Sequence, residues 1–281
     1  MAVQWPLLFF SVLIGISGGI MVFIGLGEIM NKFKELRFTP AIVALVLVIV
    51  GGCISALHLG HPERALHILG NYTSGLSREL FAVGGLAVAT FVYAILVKKE
   101  FAKPAKVFAI IAMILGLVLP FVAGASYVMP SRPAWDSYTL PLMYLGTGLG
   151  TGFLLMAALA CKKCGKEEAA EAVKFAVIAL LIAIVTMVAY VIWLAVAPWP
   201  AADRDIARLL SGDLALYFWF GVVLLGIIVP AVCAFLAFKK NDDMNRCASM
   251  LWAAFACNVI GGIALRVIMY MMASSVEQFF Q

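Results

Sequence analysis

The hydrophobic residues of this chain fall in long unbroken blocks, not in an alternation. Eight apolar runs cover residues 6–30, 41–59, 79–98, 107–129, 139–160, 175–197, 214–238 and 249–273, with short polar stretches between them. Each is close to the ~20 residues that a helix needs to cross a hydrocarbon core. An isolated spanning strand would leave its N–H and C=O groups unpaired in lipid, so the runs read as helices. The pattern predicts an all-α integral membrane protein, an eight-transmembrane-helix bundle. Residues 1–281 then form a single polytopic membrane domain, with no room for a separate soluble one.

Two runs carry rows of small residues. Gly15, Gly18 and Gly19 lie in the first, and Gly146, Gly148, Gly150 and Gly152 in the fifth. Such rows predict helices that approach closely through their backbones. The stretch Met1–Trp5 has no basic residue and the first apolar run is full length, so no cleavable signal is expected.

Composition agrees with a bilayer setting. The chain is 64% hydrophobic and 12% charged, with a mean hydropathy of +1.06. A soluble domain cannot expose so few charges. The net charge of +5 does not point to nucleic acid, because the basic residues sit between spans and form no stripe. Fourteen of the twenty Lys and Arg lie in the first, third, fifth and seventh loops. The other loops hold only Arg64, Arg78, Arg132, Arg204 and Arg208. Basic loops stay inside, so both termini are expected on the outer side of the membrane. Trp5, Trp135 and Trp199 then fall at the outer boundary, where an aromatic belt is expected.

Candidate chemistry concentrates in residues 57–79. All three histidines, His58, His61 and His67, lie there, with Glu63, Arg64, Arg78 and Glu79. Ionisable groups at the rim of a greasy bundle are costly unless paired, hydrated or used. Three readings compete. The histidines cap the second span; or His58 and His61, three apart, ligate a metal, although Pro62 disfavours one continuous helix through them; or His58 and Glu79 handle protons for a lipid-soluble redox carrier. A quinol releases two protons with its two electrons. A histidine accepts protons near neutrality, and a carboxylate perturbed by burial does so too. Haem is not expected, because bis-histidine ligation needs residues from facing helices at one depth. No metal is expected either: Cys161-Lys-Lys-Cys164 is a lone CxxC with no second pair. Arg266 is the remaining intramembrane charge, and pairing with Glu79 is one arrangement open to it.

The string His58-Leu59-Gly60-x-Pro62-x-Arg64-Ala65, followed by Leu76-Ser77-x-Glu79, resembles the membrane anchor subunit of dimethyl sulfoxide reductase, the DmsC family. Weaker echoes are Pro133-x-Trp135 before Pro141, and Arg266 with Tyr270; in the last span the family often has Gly-Arg where Leu265-Arg266 stands here. The resemblance implies a subunit that oxidises menaquinol to menaquinone without haem. It implies two partners besides the lipid bilayer: a four-cluster, ferredoxin-like iron-sulfur subunit that takes the electrons, and a molybdopterin catalytic subunit. It places the quinol site on His58 and Glu79, with His61, Arg64 and Arg78 as weaker candidates. Rival readings are the membrane subunit of a polysulfide, thiosulfate or tetrathionate reductase, a secondary transporter, and a purely structural anchor.

Overall fold

The computed structural model describes residues 3–57, 74–239 and 243–272. Among these residues, eight helices are long and apolar enough to cross a membrane. They are α1 (Trp5–Met30), α2 (Phe38–Ala56), α3 (Gly75–Lys98), α4 (Ala102–Ala125), α5 (Thr139–Lys163), α6 (Lys166–Val196), α8 (Tyr217–Lys239) and α9 (Met244–Met271). A shorter helix, α7 (Pro200–Ser211), lies between α6 and α8. The all-α, eight-span architecture expected from the hydropathy blocks is therefore present.

The helices overrun the apolar blocks at their charged ends. α6 begins at Lys166, not near residue 175, because the stretch Lys166 to Lys174 is rich in strong helix formers. Glu167 and Glu168 in its first turn also suit the positive end of the helix dipole. α3 starts at Gly75 because Ser74 caps it: the Ser74 Oγ accepts the Ser77 N–H at 3.1 Å. α7 occupies a stretch expected to be loop. It is a 12-residue helix begun by Pro200 at its first turn, and it buries Ala201, Ala202, Asp205 and Leu209. A search for spanning apolar blocks cannot register a short amphipathic helix.

The spans form two sets of four. α1 packs on α2 and α4, and α3 closes that set between α2 and α4. α5 packs on α6 and α9, and α8 closes the second set between α6 and α9. The sets meet along a seam in which α1 and α4 contact α5. α1 and α5 are accordingly the most enclosed helices, with 78% and 72% of their apolar windows buried. Glycine makes the seam possible. A Cβ on Gly152 would lie 2.6 Å from backbone atoms of Gly19, and one on Gly148 would lie 2.8 Å from the Gly15 Cα. Gly18 meets Gly116 of α4 in the same way, while Gly146 and Gly150 face α6 at Ala183. Both glycine rows thus serve close helix approach, as their spacing predicts.

The first half of α8, Tyr217–Ile228, is wound as a π-helix. There Asn258 of α9 donates from Nδ2 to the Gly226 carbonyl at 2.9 Å. Gly226 and Gly261 touch backbone to backbone at this crossing.

The end of the bundle that carries the α1–α2 and α5–α6 turns is tied by polar contacts. Lys32 pairs with Glu171 at 2.5 Å, and Glu168 accepts the Phe33 N–H at 3.2 Å. Glu28 is buried and bound twice, by Arg37 and by the Tyr93 hydroxyl at 2.8 Å. Among the described residues, most of the Lys and Arg of the four basic loops lie in α-helices ending or beginning here, such as Lys98, Lys103, Lys162 and Lys166.

Candidate functional site

The opposite end, where α3, α5 and α8 begin and α4 and α9 finish, holds a cavity of about 580 Å³. α1 contributes Leu7 and the preceding residue Gln4, α3 contributes Gly75, Leu76 and Glu79, and α9 contributes Tyr270. The segment after α4 supplies Ser126, Tyr127, Met129 and Arg132, and the 3₁₀ turn Pro133–Trp135 supplies Trp135. The volume is within the range of small-molecule sites, roughly 300–1,000 Å³.

Glu79 sits one turn into α3 and is 7% exposed. The Ser126 hydroxyl donates to its Oε1. Ser126 follows the last turn of α4, so the packing of α3 on α4 brings the two side chains together. The floor is aromatic. The Tyr127 and Tyr270 hydroxyls are hydrogen-bonded at 2.6 Å, and their rings meet edge to face at 5.9 Å. Trp135 stands edge-on to both, at 5.2 and 6.0 Å. Burial, reinforced by the neighbouring Tyr144 and Tyr270, pushes the Tyr127 hydroxyl well above its usual pKa, so it stays protonated. Arg132 reaches over the Trp135 ring at 5.0 Å. The wall therefore combines one carboxylate, several hydroxyls, flat rings and the apolar Leu7, Leu76 and Met129.

Of the site residues expected from the sequence, Glu79 lines the cavity. Arg78 precedes it with an exposed side chain and is not part of the lining. His58, His61 and Arg64 lie outside the described residues. They belong to the connection between Leu57 and Ser74, which joins α2 to α3 at the cavity end. Trp135 is 3% exposed and does not belong to an aromatic belt: its Nε1 donates to the Met269 carbonyl at 2.9 Å, which holds the indole inside the bundle. Trp5 and Trp199, each 52% exposed, do lie at the rim.

Arg266 is not paired with Glu79. Its Nη2 donates to the Thr147 Oγ1 at 3.0 Å, and its guanidinium lies 3.8 Å from the centroid of the Tyr144 ring. Each of the two charges found another partner because Thr147 and Tyr144 of α5 are the groups facing Arg266, while Glu79 faces Ser126.

Ser126 and Tyr127 were not singled out from the sequence. The available signal was positional: they follow span 4 at the end where span 3 begins. The Cys161–Cys164 pair lies at the other end of α5. Burial, with Glu168 and Glu35 beside it, pushes the Cys164 thiol up to about 12.

Eight apolar helices, with a cavity at one end lined by a carboxylate, hydroxyls, aromatic rings and apolar side chains, define an integral membrane protein. The sequence pattern of the DMSO reductase anchor subunit family (DmsC) matches residues 1–272, and the chain belongs to that family. It is a multi-pass protein of the inner membrane. It is 31% identical over 166 residues to YnfH, part of an anaerobic dimethyl sulfoxide reductase of Escherichia coli (strain K12). That stretch is 56% of this sequence and 57% of the relative. It is 29% identical over 163 residues to a second relative, from the anaerobic dimethyl sulfoxide reductase of Haemophilus influenzae, covering 56% of this sequence and 58% of the relative. The aligned stretches thus span little more than half of each curated relative.

Proposed function

We propose that this protein anchors a dimethyl sulfoxide reductase-like complex in the membrane and oxidises menaquinol at the Glu79 cavity, passing the electrons to an iron-sulfur subunit. The observation that carries the reading is the cavity itself. A carboxylate held by a hydroxyl stands beside packed aromatic rings at the end of a bundle otherwise lined with apolar side chains. That combination suits a molecule with a flat apolar ring and two acidic hydroxyls.

In this reading the ring lies among Trp135, Tyr127 and Tyr270, and Leu7, Leu76 and Met129 cover its apolar faces. Glu79 accepts one proton, and Ser126 keeps the carboxylate turned toward the cavity. His58, on the connection at the same end, accepts the other. Two electrons leave with the two protons, so menaquinol becomes menaquinone. The three histidines fall within residues 58–67, which leaves no histidine on a facing helix to hold a haem relay. The iron-sulfur subunit then docks at the cavity end. By the loop charges this end is the outer face. A molybdopterin subunit beyond the iron-sulfur subunit completes the reductase.

The test uses the whole complex in its membrane. Glu79→Gln and His58→Arg should each cut menaquinol-driven reduction by roughly 10²–10⁴-fold, the range for a lost acid–base group. Reduction driven by a soluble dye that donates directly to the catalytic subunit should persist. Full menaquinol activity in both variants would sink the assignment. Labelling that puts the iron-sulfur subunit on the inner face would sink the docking end.

A further inference from the structure

Arg266 is a buried charge within the spanning helix α9 and has no use in the scheme above. It is 3% exposed. Its Nη2 is bound to Thr147, but its Nε and Nη1 have no hydrogen-bond partner among the described residues. No described carboxylate is within ion-pair distance. A guanidinium cannot shed its charge in a protein, and an uncompensated buried charge is expensive. Such a charge inside a membrane bundle is a functional candidate in its own right.

Its position gives it a role. Tyr270, which lines the cavity, is one turn further along α9. Tyr144 lies over the guanidinium, its hydroxyl donating to Met269 Sδ at 3.1 Å. Its ring is 6.0 Å from that of Tyr127, another cavity residue. Tyr127, Tyr144 and Tyr270 are all within electrostatic reach of Arg266. The charge therefore lies beneath the aromatic floor, shielded from water by the rings. The other described charges at the cavity wall are Glu79, which opposes it, and Arg132, which stands partly exposed near the mouth.

We infer that Arg266 is a positioning residue that makes the cavity favour a ring whose hydroxyl is deprotonated over the same ring in neutral form. This rests on the cavity being the quinol site and names the charge state of ligand it selects. An apolar cavity alone would disfavour the anion by desolvation. A fixed cation under the floor reverses that preference. Thr147, Ser11, Thr151 and Asn258 surround a further space of about 20 Å³ beside Arg266, enough for one water to satisfy a free N–H.

The experiment uses the assembled complex in lipid nanodiscs and two probes. One is a hydroxynaphthoquinone, whose ring hydroxyl ionises below neutrality and whose anion is coloured. The other is naphthoquinone without that hydroxyl. Binding is read from quenching of tryptophan fluorescence, and ionisation from visible absorption. In the parent protein the bound hydroxynaphthoquinone should ionise at a lower pH than the same probe in empty nanodiscs. Ionisation at the same or a higher pH overturns the inference without any variant. Arg266→Met should weaken the anionic probe by about tenfold, the factor of one pKa unit, and leave naphthoquinone binding unchanged. Arg266→Lys should keep most of the preference. Equal loss of both probes, or a preference that survives Arg266→Met, overturns it. A preference abolished by high salt would assign it to the partly exposed Arg132, since buried charges are screened far less, and would overturn it as well. Failure of the parent to bind either probe would instead refute the quinol reading of the cavity.

Discussion

Replacing Gly152 by Ala adds one methyl group, and its cost follows from the seam geometry. The new Cβ would lie 2.6 Å from the Cα and carbonyl carbon of Gly19 and 2.8 Å from the Ile20 nitrogen. These are backbone atoms, so nothing there is free to turn away. Carbon atoms rest at about 3.5–4.0 Å, so α1 and α5 must part by roughly 1 Å. A gap of that size forfeits a quarter to a half of each contact along the seam, at ~0.1–0.2 kcal/mol per atom pair. Over a few tens of pairs the loss reaches about 1–3 kcal/mol, the usual range for overpacking. Gly84 on α3 supplies the control. A Cβ there meets nothing within 4 Å, so Gly84→Ala should be neutral or slightly stabilising through helix propensity. Both variants would be reconstituted in bicelles and unfolded by added dodecyl sulfate, with helicity followed by circular dichroism. A Gly152→Ala protein as stable as the parent would refute the close-seam argument, and so would equal loss in the Gly84→Ala protein.

Other perturbations test separate parts of the structure. Tyr93→Phe removes a 2.8 Å bond to the buried Glu28 carboxylate and should cost about 1.5–3 kcal/mol in the same unfolding assay, with menaquinol oxidation retained. Trp135→Phe loses the bond to the Met269 carbonyl and should cost about 1 kcal/mol; it should also weaken quinone binding, read by inhibitor titration. The α7 helix should respond to pH. Burial raises the Asp205 carboxyl to about 6 from 3.8, with Arg208 opposing the shift. Folding therefore favours the protonated form, and the stability this group supplies below pH 3.8 is lost as pH rises through about 6. Hydrogen exchange of the α7 amides, corrected for intrinsic rates, should show protection falling across that window, and Asp205→Asn should flatten the response. A parent protein with no pH dependence there would contradict the burial of Asp205.

The sequence by itself determined the membrane setting, the number of spans and the regions where small residues allow close approach. The reason is that lipid leaves a polypeptide few choices: each span must satisfy its own backbone, so block length alone specifies a helix. Glu79 was legible for a similar reason, as a carboxylate at the edge of an apolar block needs an explanation. Tertiary structure decided what faces what. Nothing local distinguishes Gly148, which meets α1, from Gly146, which meets α6 two residues away. Ser126 became the partner of Glu79, and Arg266 took Thr147 and the Tyr144 ring, because helix rotation about its own axis is set by packing between helices and not by hydropathy. The short helix α7 and the buried placement of Trp135 likewise depend on contacts with segments distant in the sequence, here Met271 and Met269 of α9.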